Sequence, residues 1–199
     1  DRDLVWQHIS GFISVWLMRG QKLMAGWSLK PGSVADTQWQ IAGVADIDQD
    51  KQPDLVWQHA GTGQVSVWYM NGTSLREGKL LSGGQGIGVD WKVAGVGDFN
   101  GDRSPDLLWR HRTTGSMAIW FMDKDRQAFG QPVSPGSVEL DWRVAAISDM
   151  NGDSMADVVW QHTDGRLAVW TMSSWTMTAG ISLEPAAVSD PLWQIVAGR

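Results

Sequence analysis

Short apolar runs separated by polar, glycine-containing turns dominate the pattern of this chain. Segments such as 55–59, 107–111 and 117–122 contain three or more consecutive apolar side chains, many of them branched or aromatic. Runs of this length and composition are typical of strands that are buried on both faces. No segment shows a convincing helical period of 3.6 residues. The sequence therefore predicts an all-β protein.

Tryptophan recurs at a fixed interval and defines a repeat. Three series are spaced by 50 to 52 residues: Trp6, Trp57, Trp109 and Trp160; Trp16, Trp68, Trp120 and Trp170; and Trp39, Trp91, Trp142 and Trp193. This interval suits a β-propeller blade of four strands and is too long for a leucine-rich or ankyrin unit.

One repeat can be divided into its strands. The first is 91–97, whose small residues fit a place where strands crowd together, and the next two are 107–111 and 117–122. Gly115 marks the tight turn between the second and third strands, where positive φ is needed. A weaker fourth strand leads to Pro135-Gly136, which we interpret as a loop. Its counterparts are Pro31-Gly32 and Gly83-Gly84.

The chain begins at the second strand of a repeat and stops after the first strand of another. Complete units span about 39–90, 91–141 and 142–192, and 1–38 together with 193–199 would form a split one. We predict a single domain, 1–199, of four four-stranded blades whose termini share one blade by pairing 193–196 with 4–7. Two alternatives stay open: a homodimer that shares an eight-bladed ring, or an excerpt of a longer propeller.

An acidic loop follows the first strand of each complete unit. The three loops are 46–54, 98–106 and 149–157, and each has oxygen-bearing side chains at positions 1, 3, 5 and 9. Calcium prefers six to eight oxygen ligands, which alternate residues of a tight loop can supply. An EF-hand would need glutamate at position 12 and flanking helices. Position 12 is instead Trp57, Trp109 or Trp160, within a predicted strand.

Charge and composition support this interpretation. The formal net charge is −6, and ten of the 22 acidic residues lie in the three loops, so three divalent ions would bring the charge to about zero. An acidic chain argues against a nucleic-acid partner. Cysteine is absent, and no apolar run approaches the ~18 residues that would predict membrane insertion. Because no nucleophile elbow, HExxH or phosphate-binding motif occurs, we expect no enzyme activity.

The segment 94–109, with its copies at 42–57 and 144–160, resembles the FG-GAP/VCBS repeat family of β-propellers, which includes repeats of integrin α-chains. The resemblance implies a calcium ion in each hairpin between the first and second strands, and an extracellular location. It also implies the side-chain ligands Asp46, Asp48, Asp50 and Asp54; Asp98, Asn100, Asp102 and Asp106; and Asp149, Asn151, Asp153 and Asp157. The backbone carbonyls of Gln52, Ser104 and Met155 would each add one oxygen.

The chain departs from the family at loop position 6, which is usually glycine. Lys51, Arg103 and Ser154 stand there, and a residue with a Cβ must accept backbone strain or shift the turn.

Each histidine follows a tryptophan of the second strand by two residues, which places the two side chains on one face of the strand. An indole beside an imidazole suits a sugar, so Trp6, His8, Trp57, His59, Trp109, His111, Trp160 and His162 are candidate glycan ligands. The alternative is that these tryptophans are core and that the histidines hydrogen-bond within the hairpin turn.

Two functions follow from these observations. The first is a secreted, calcium-stabilised, lectin-like module that binds neutral glycans at repeated blade sites. The second is an adhesion or scaffolding propeller that binds a cell-surface protein and uses calcium only for structure.

Overall fold

The structure is a computed structural model that describes residues 3–84, 87–190, 192, 193 and 195. These residues form β-strands and one short 3-10 turn, which confirms the all-β prediction. The chain divides into two compact units, residues 1–89 and 90–199. In the described ranges no helix is long and apolar enough to cross a membrane.

The first unit is a sheet of seven strands in the order β1-β2-β3-β7-β6-β5-β4. All neighbouring pairs are antiparallel except β3 and β7, which meet at a parallel bridge between Lys30 and Ser74. The unit therefore consists of a three-stranded and a four-stranded meander. Its elements are β1 Leu4–Gln7, β2 Phe12–Arg19, β3 Lys22–Ser33, β4 Trp39–Ala45, β5 Asp54–His59, β6 Val65–Asn71, β7 Ser74–Leu80 and a 3-10 turn at Leu81–Gly84.

The second unit has the same design with eight strands, in the order β12-β13-β14-β15-β11-β10-β9-β8. A parallel bridge between Ser134 and Thr176 joins two four-stranded antiparallel meanders. The strands are β8 Trp91–Gly97, β9 Asp106–His111, β10 Ser116–Asp123, β11 Arg126–Ser137, β12 Trp142–Ser148, β13 Asp157–His162, β14 Arg166–Ser173 and β15 Thr176–Ala187.

The fourth strand of the repeat is longer than predicted. β3 and β11 each run for 12 residues through Pro31-Gly32 and Pro135-Gly136, so the interpretation of these dipeptides as loops was wrong. The pairing explains why proline is tolerated: the register shifts between the Ser116–Ser137 and Ala118–Pro132 pairs. At such an irregularity a strand residue needs no ladder N–H. Gly83-Gly84 lies in the 3-10 turn instead.

Each unit has its own hydrophobic core, between its two meanders. In the first unit Ile13 and Val15 of β2 pack with Leu55 and Trp57 of β5 and Met70 of β6. The larger core of the second unit contains Phe99, Leu108, Met117, Ile119, Phe121, Val133, Ala156, Val158, Trp160 and Met172. The second and third strands of the repeat lie inside packed meanders. This location explains why they are apolar on both faces.

Small residues let the first strands of neighbouring repeats approach each other. A Cβ atom built at Gly95 on β8 would lie 2.3 Å from Cγ1 of Ile147 on β12, and one at Gly97 would lie 2.9 Å from Cβ of Ala156. These distances are shorter than van der Waals contact. The small residues of the predicted first strand therefore serve close packing, as the sequence indicated.

A glutamine on the second strand fastens the next repeat in the same way in both units. Gln7 donates from Nε2 to Trp39 O at 2.7 Å and accepts from Ile41 N at 2.9 Å. Gln161 donates to Trp193 O at 2.6 Å and accepts from Ile195 N at 3.1 Å. Residues 193 and 195 are therefore hydrogen-bonded to β13 in the same way that Trp39 and Ile41, at the start of β4, are hydrogen-bonded to β1. The predicted pairing of 193–196 with 4–7 includes Gln194 and Val196, which lie outside the described residues.

Candidate metal centre

Each acidic loop connects the first two strands of a four-stranded meander and is shaped by its position-1 aspartate. In the first loop the Asp46 carboxylate accepts the N–H groups of Asp50 and Lys51 at 3.0 and 2.9 Å. Asp98 accepts those of Gly101, Asp102 and Arg103, and Asp149 those of Gly152 and Ser154. Side chains of this type stabilise tight turns by such bonds to following amides.

The side chains at positions 3 and 5 also turn into the loop. In the second loop Asn100 Oδ1 accepts the N–H of Asp102 at 3.1 Å, and Asp102 Oδ1 accepts that of Ser104 at 2.7 Å. The equivalent bonds occur in the other two loops. In the first loop one carboxylate oxygen from each of Asp46, Asp48 and Asp50 lies within 4.8 Å of the others. Positions 1, 3 and 5 of the first loop therefore present converging oxygens.

Loop position 6 accepts the strain that the sequence predicted. Lys51, Arg103 and Ser154 have φ of 72°, 71° and 70°, in the left-handed region that glycine adopts without cost. Gln49, at position 4 of the first loop, has φ of 64°, where the other loops have Gly101 and Gly152. The turn thus keeps its shape, and its residues adopt an unfavourable conformation.

The position-9 aspartates have a structural task that sequence reasoning missed. Asp54, Asp106 and Asp157 are 0% exposed. One carboxylate oxygen of each aspartate accepts the N–H of loop position 2, which is Ile47, Phe99 or Met150. The other oxygen accepts the N–H of a third-strand residue, which is Met70, Met122 or Met172. These bonds measure 2.9 to 3.0 Å. The position-9 carboxylate therefore ties the loop to the third strand, and each oxygen keeps one lone pair for another ligand.

Asp3 has the same relation to the third strand in the incomplete first repeat. Its Oδ1 accepts the N–H of Met18 at 2.8 Å, so Asp3 has the place of loop position 9 in this repeat.

Burial disfavours the ionised form of the position-9 carboxylate in the first and second loops. Desolvation raises the pKa of Asp106 to about 7, against the lowering effect of its two backbone hydrogen bonds, and the charges of Asp102 and Asp98 raise it further. Desolvation likewise raises the pKa of Asp54. A positive ion bound among these oxygens would lower the pKa of both aspartates, because it favours the ionised carboxylate.

The donor set fits calcium. The side chains at positions 1, 3, 5 and 9 all carry a carboxylate or amide oxygen, the hard ligand type that calcium prefers. In the first loop the oxygens at positions 1, 3 and 5 also converge. In the second and third loops the amide of Asn100 or Asn151 donates to the neighbouring Asp102 or Asp153 at 2.9 Å.

A cationic side chain from another strand contacts the first loop, and the sequence did not reveal this contact. The guanidinium of Arg76, on β7, bonds Asp48, and its Nη1 lies 2.9 Å from Oδ2 of Asp50. These carboxylates raise the pKa of Arg76, with the hydrogen bond to Asp48 as the largest cause. Arg76 lies 22 residues beyond the end of the loop, so only strand pairing could have indicated the contact.

The four tryptophans predicted to bind glycan differ in their exposure to solvent. Trp57, Trp109 and Trp160 are at most 1% exposed, so stacking of a sugar on these three rings was the wrong interpretation. They fill the core, where each ring lies 4.8 to 5.1 Å from the third-strand tryptophan. Trp6, in the incomplete repeat, is 47% exposed and belongs to the edge strand β1.

The histidines take part in the hairpin turns. Nδ1 of His59 accepts the N–H of Gly61 at 3.2 Å and of Thr62 at 3.1 Å, and Nδ1 of His8, His111 and His162 accepts equivalent turn amides. His59, His111 and His162 also meet a first-strand tryptophan edge-on at 5.0 to 5.1 Å. This geometry agrees with the turn role that we gave as the alternative to sugar binding.

The comparison with protein families gives the same assignment as the loops. The FG-GAP-like repeat matches twice, over residues 46–109 and 98–160, which together cover more than half of the chain. The protein belongs to the FG-GAP-like repeat family. Repeats of this family indicate a β-propeller-like binding module. No curated protein sequence matches the chain significantly.

The two kinds of loop carboxylate should respond differently to the same substitution. In Asp157→Asn an amide NH₂ would face a backbone N–H in a buried site, and we expect a loss of about 2–3 kcal/mol of unfolding free energy. Asp153→Asn, at an exposed position of the same loop, should change it by less than about 0.5 kcal/mol in the absence of metal. Urea denaturation in EDTA measures both values, and equal losses would contradict the structural role of position 9.

Proposed function

We propose that this chain is a calcium-stabilised, extracellular binding module built as a four-bladed β-propeller, with a binding rather than a catalytic role. The observation that carries the proposal is the repetition of one loop geometry at 46–54, 98–106 and 149–157. In each loop, side-chain oxygens at positions 1, 3 and 5 turn inward and a buried carboxylate fixes the loop to the third strand. Turn propensity alone does not require three such loops.

The blade count rests on the meanders. Three are complete, and β1–β3 forms a fourth that lacks its first strand. Gln161 holds residues 193 and 195 as Gln7 holds β4, which supports 193–196 as the missing strand. Closure by this pairing would cover the free edge of β1, and exposed edges of this kind promote aggregation.

Closure within one chain predicts a monomer. Light scattering coupled to size exclusion should give the chain mass of 21.9 kDa. A mass of roughly twice that value at low concentration would instead indicate two chains that share a ring.

Calcium would be held by the position-1, -3, -5 and -9 side chains and by the carbonyls of Gln52, Ser104 and Met155. A bound ion would supply positive charge that offsets the repulsion among the carboxylates. Extracellular calcium modules bind with dissociation constants of about 10⁻⁴–10⁻³ M. A site of this affinity would be filled only at extracellular calcium concentrations, and for this reason we place the protein outside the cell.

Calcium should therefore raise the melting temperature, because a ligand that binds only the folded state stabilises it. At one hundred times the dissociation constant the stabilisation is about 2.7 kcal/mol per site. Asp102→Ala should reduce the calcium-dependent shift, whereas Asp123→Ala, which removes the same charge from an exposed strand end, should leave it unchanged. A melt that is identical in calcium and in EDTA would refute a stabilising metal.

A neutral glycan is the ligand class that we propose. A depression of about 530 Å³ in the second unit has Trp91, Ser116 and Gln131 among its lining residues. An aromatic surface with a few hydroxyl and amide groups suits a sugar, whose C–H face stacks while its hydroxyls form hydrogen bonds. Protein adhesion is the second candidate, supported by Trp27 and Trp175, which are 56% and 40% exposed.

A glycan array in calcium buffer distinguishes these two candidates. We expect binding of neutral glycans, lost or weakened at least about tenfold by Gln131→Ala. Ile181 has the same position in the last repeat, opposite Val169 as Gln131 is opposite Ile119, so Ile181→Ala is the matched control and should bind normally. His111→Ala tests whether a histidine predicted from the sequence to bind glycan takes part in binding. Absence of any glycan binding by a folded, calcium-loaded protein would favour adhesion.

A further inference from the structure

The first acidic loop differs from the other two in having an arginine bonded to it. Arg76 is the third residue of β7, and its guanidinium bonds the carboxylates of Asp48 and Asp50. The ring of Tyr69, on the adjacent strand β6, lies 5.5 Å from the guanidinium carbon. Arg76 therefore reaches two of the three converging carboxylates from a neighbouring strand of the same meander.

Strand register shows that the arginine occurs at this position only once. Ser74 pairs with Asn71 at the start of the fourth strand, and Arg126, Thr176 and Lys22 have the same place in the other repeats. Two residues further along, Arg76 corresponds to Ala128, Thr178 and Met24. Alanine, threonine and methionine carry no charge, so the second and third loops have no cation from this position.

Other features of the first loop agree with this difference. Position 3 is Asp48 where the other loops have Asn100 and Asn151, so the first loop has one more carboxylate. The side chain of Gln52, at position 7, accepts the N–H of Gly72 in the hairpin that precedes β7. The hairpin between β6 and β7 thus holds this loop through Gln52 and Arg76, and the arginine balances the additional charge.

We propose that Arg76 is a built-in counter-cation of the first acidic loop, which lets this loop keep its shape without metal and makes it bind calcium more weakly than the other two. The inference deepens the proposed function and rests on it. Arg76 holds Oδ2 of Asp48 and of Asp50, and a calcium ion in the loop would compete for the same two carboxylates.

Because the Arg76 side chain is partly exposed, we expect it to compete with calcium for the loop and not to exclude the ion completely. The Arg76 side chain is 44% exposed, and ion pairs at such positions are weak enough for a divalent ion to displace. The expected consequence is that the three loops fill in two stages, with 98–106 and 149–157 before 46–54.

The first experiment isolates the loop at 46–54. Asp102→Ala and Asp153→Ala together disable the other two loops, and calorimetric titration of this metal-free variant with calcium chloride gives the affinity of the first loop. Adding Arg76→Ala should raise that affinity by about tenfold, because the competing cation is gone. Lys79→Ala is the control for net charge: Lys79 lies on the same strand, 3.5 Å from Glu77, and the substitution should change the affinity much less.

The second experiment transfers the arginine to another loop and does not depend on Arg76→Ala folding. Ala128→Arg, in a background with Asp50→Ala and Asp153→Ala, should weaken calcium binding to the loop at 98–106 by about tenfold. Ala128→Gln has a long polar side chain without charge and should have a smaller effect.

The outcomes separate this inference from the metal proposal. If the first loop binds calcium as tightly as the second, and Arg76→Ala leaves its affinity unchanged, the counter-cation role is overturned while calcium binding stands. If no variant binds calcium, the metal proposal fails. Urea denaturation in EDTA then tests Arg76 independently, since Arg76→Ala should destabilise the metal-free protein more than Lys79→Ala, and an equal effect would overturn the inference.

Discussion

A buried carboxylate that accepts two backbone N–H groups is the interaction on which the repeat depends. Asp54, Asp106 and Asp157 are excluded from solvent, and each joins its loop to the third strand of its meander. Without these bonds a buried charge would be left unsatisfied, at a large free-energy cost. The bonds fix position 2 of each loop, which lies between the candidate ligands at positions 1 and 3. The structural carboxylate thus prepares the candidate metal ligands.

The same arrangement creates an electrostatic problem that the three loops resolve in different ways. Carboxylates that converge within a few ångströms repel one another, and desolvation adds to this at Asp106, whose pKa rises to about 7. The second and third loops reduce the repulsion with an asparagine at position 3, and we propose a calcium ion for the remainder. The first loop has aspartate there and receives a guanidinium from Arg76. Loops of similar backbone geometry therefore differ in the charges that they hold, and our proposals for metal binding follow from that difference.

The repeated residues and the unrepeated ones have different tasks. Trp57, Trp109 and Trp160 of the second strands are buried in the interior, and the histidines of the same strands accept N–H groups within the hairpin turns. Neither role provides a ligand surface. Residues that differ between repeats, such as Gln131 beside the depression and Arg76 at the first loop, provide the chemistry that distinguishes one repeat from another. In this protein the repeated residues specify the architecture, and our glycan and counter-cation proposals rest on residues that depart from the repeat.

The sequence by itself determined the strand content, the repeat boundaries and the position of the acidic loops. These features depend on local properties: apolar runs predict buried strands, and aspartate, asparagine and glycine at fixed offsets predict turns. Trp39, Trp91 and Trp142 accordingly begin first strands where the period placed them. Only the tertiary structure showed that β11 continues through Pro135, that Trp57, Trp109 and Trp160 are buried, and that Arg76 contacts a loop more than 20 residues away in the chain. Each of these depends on register and packing between separate segments, which a single sequence does not encode in any local pattern.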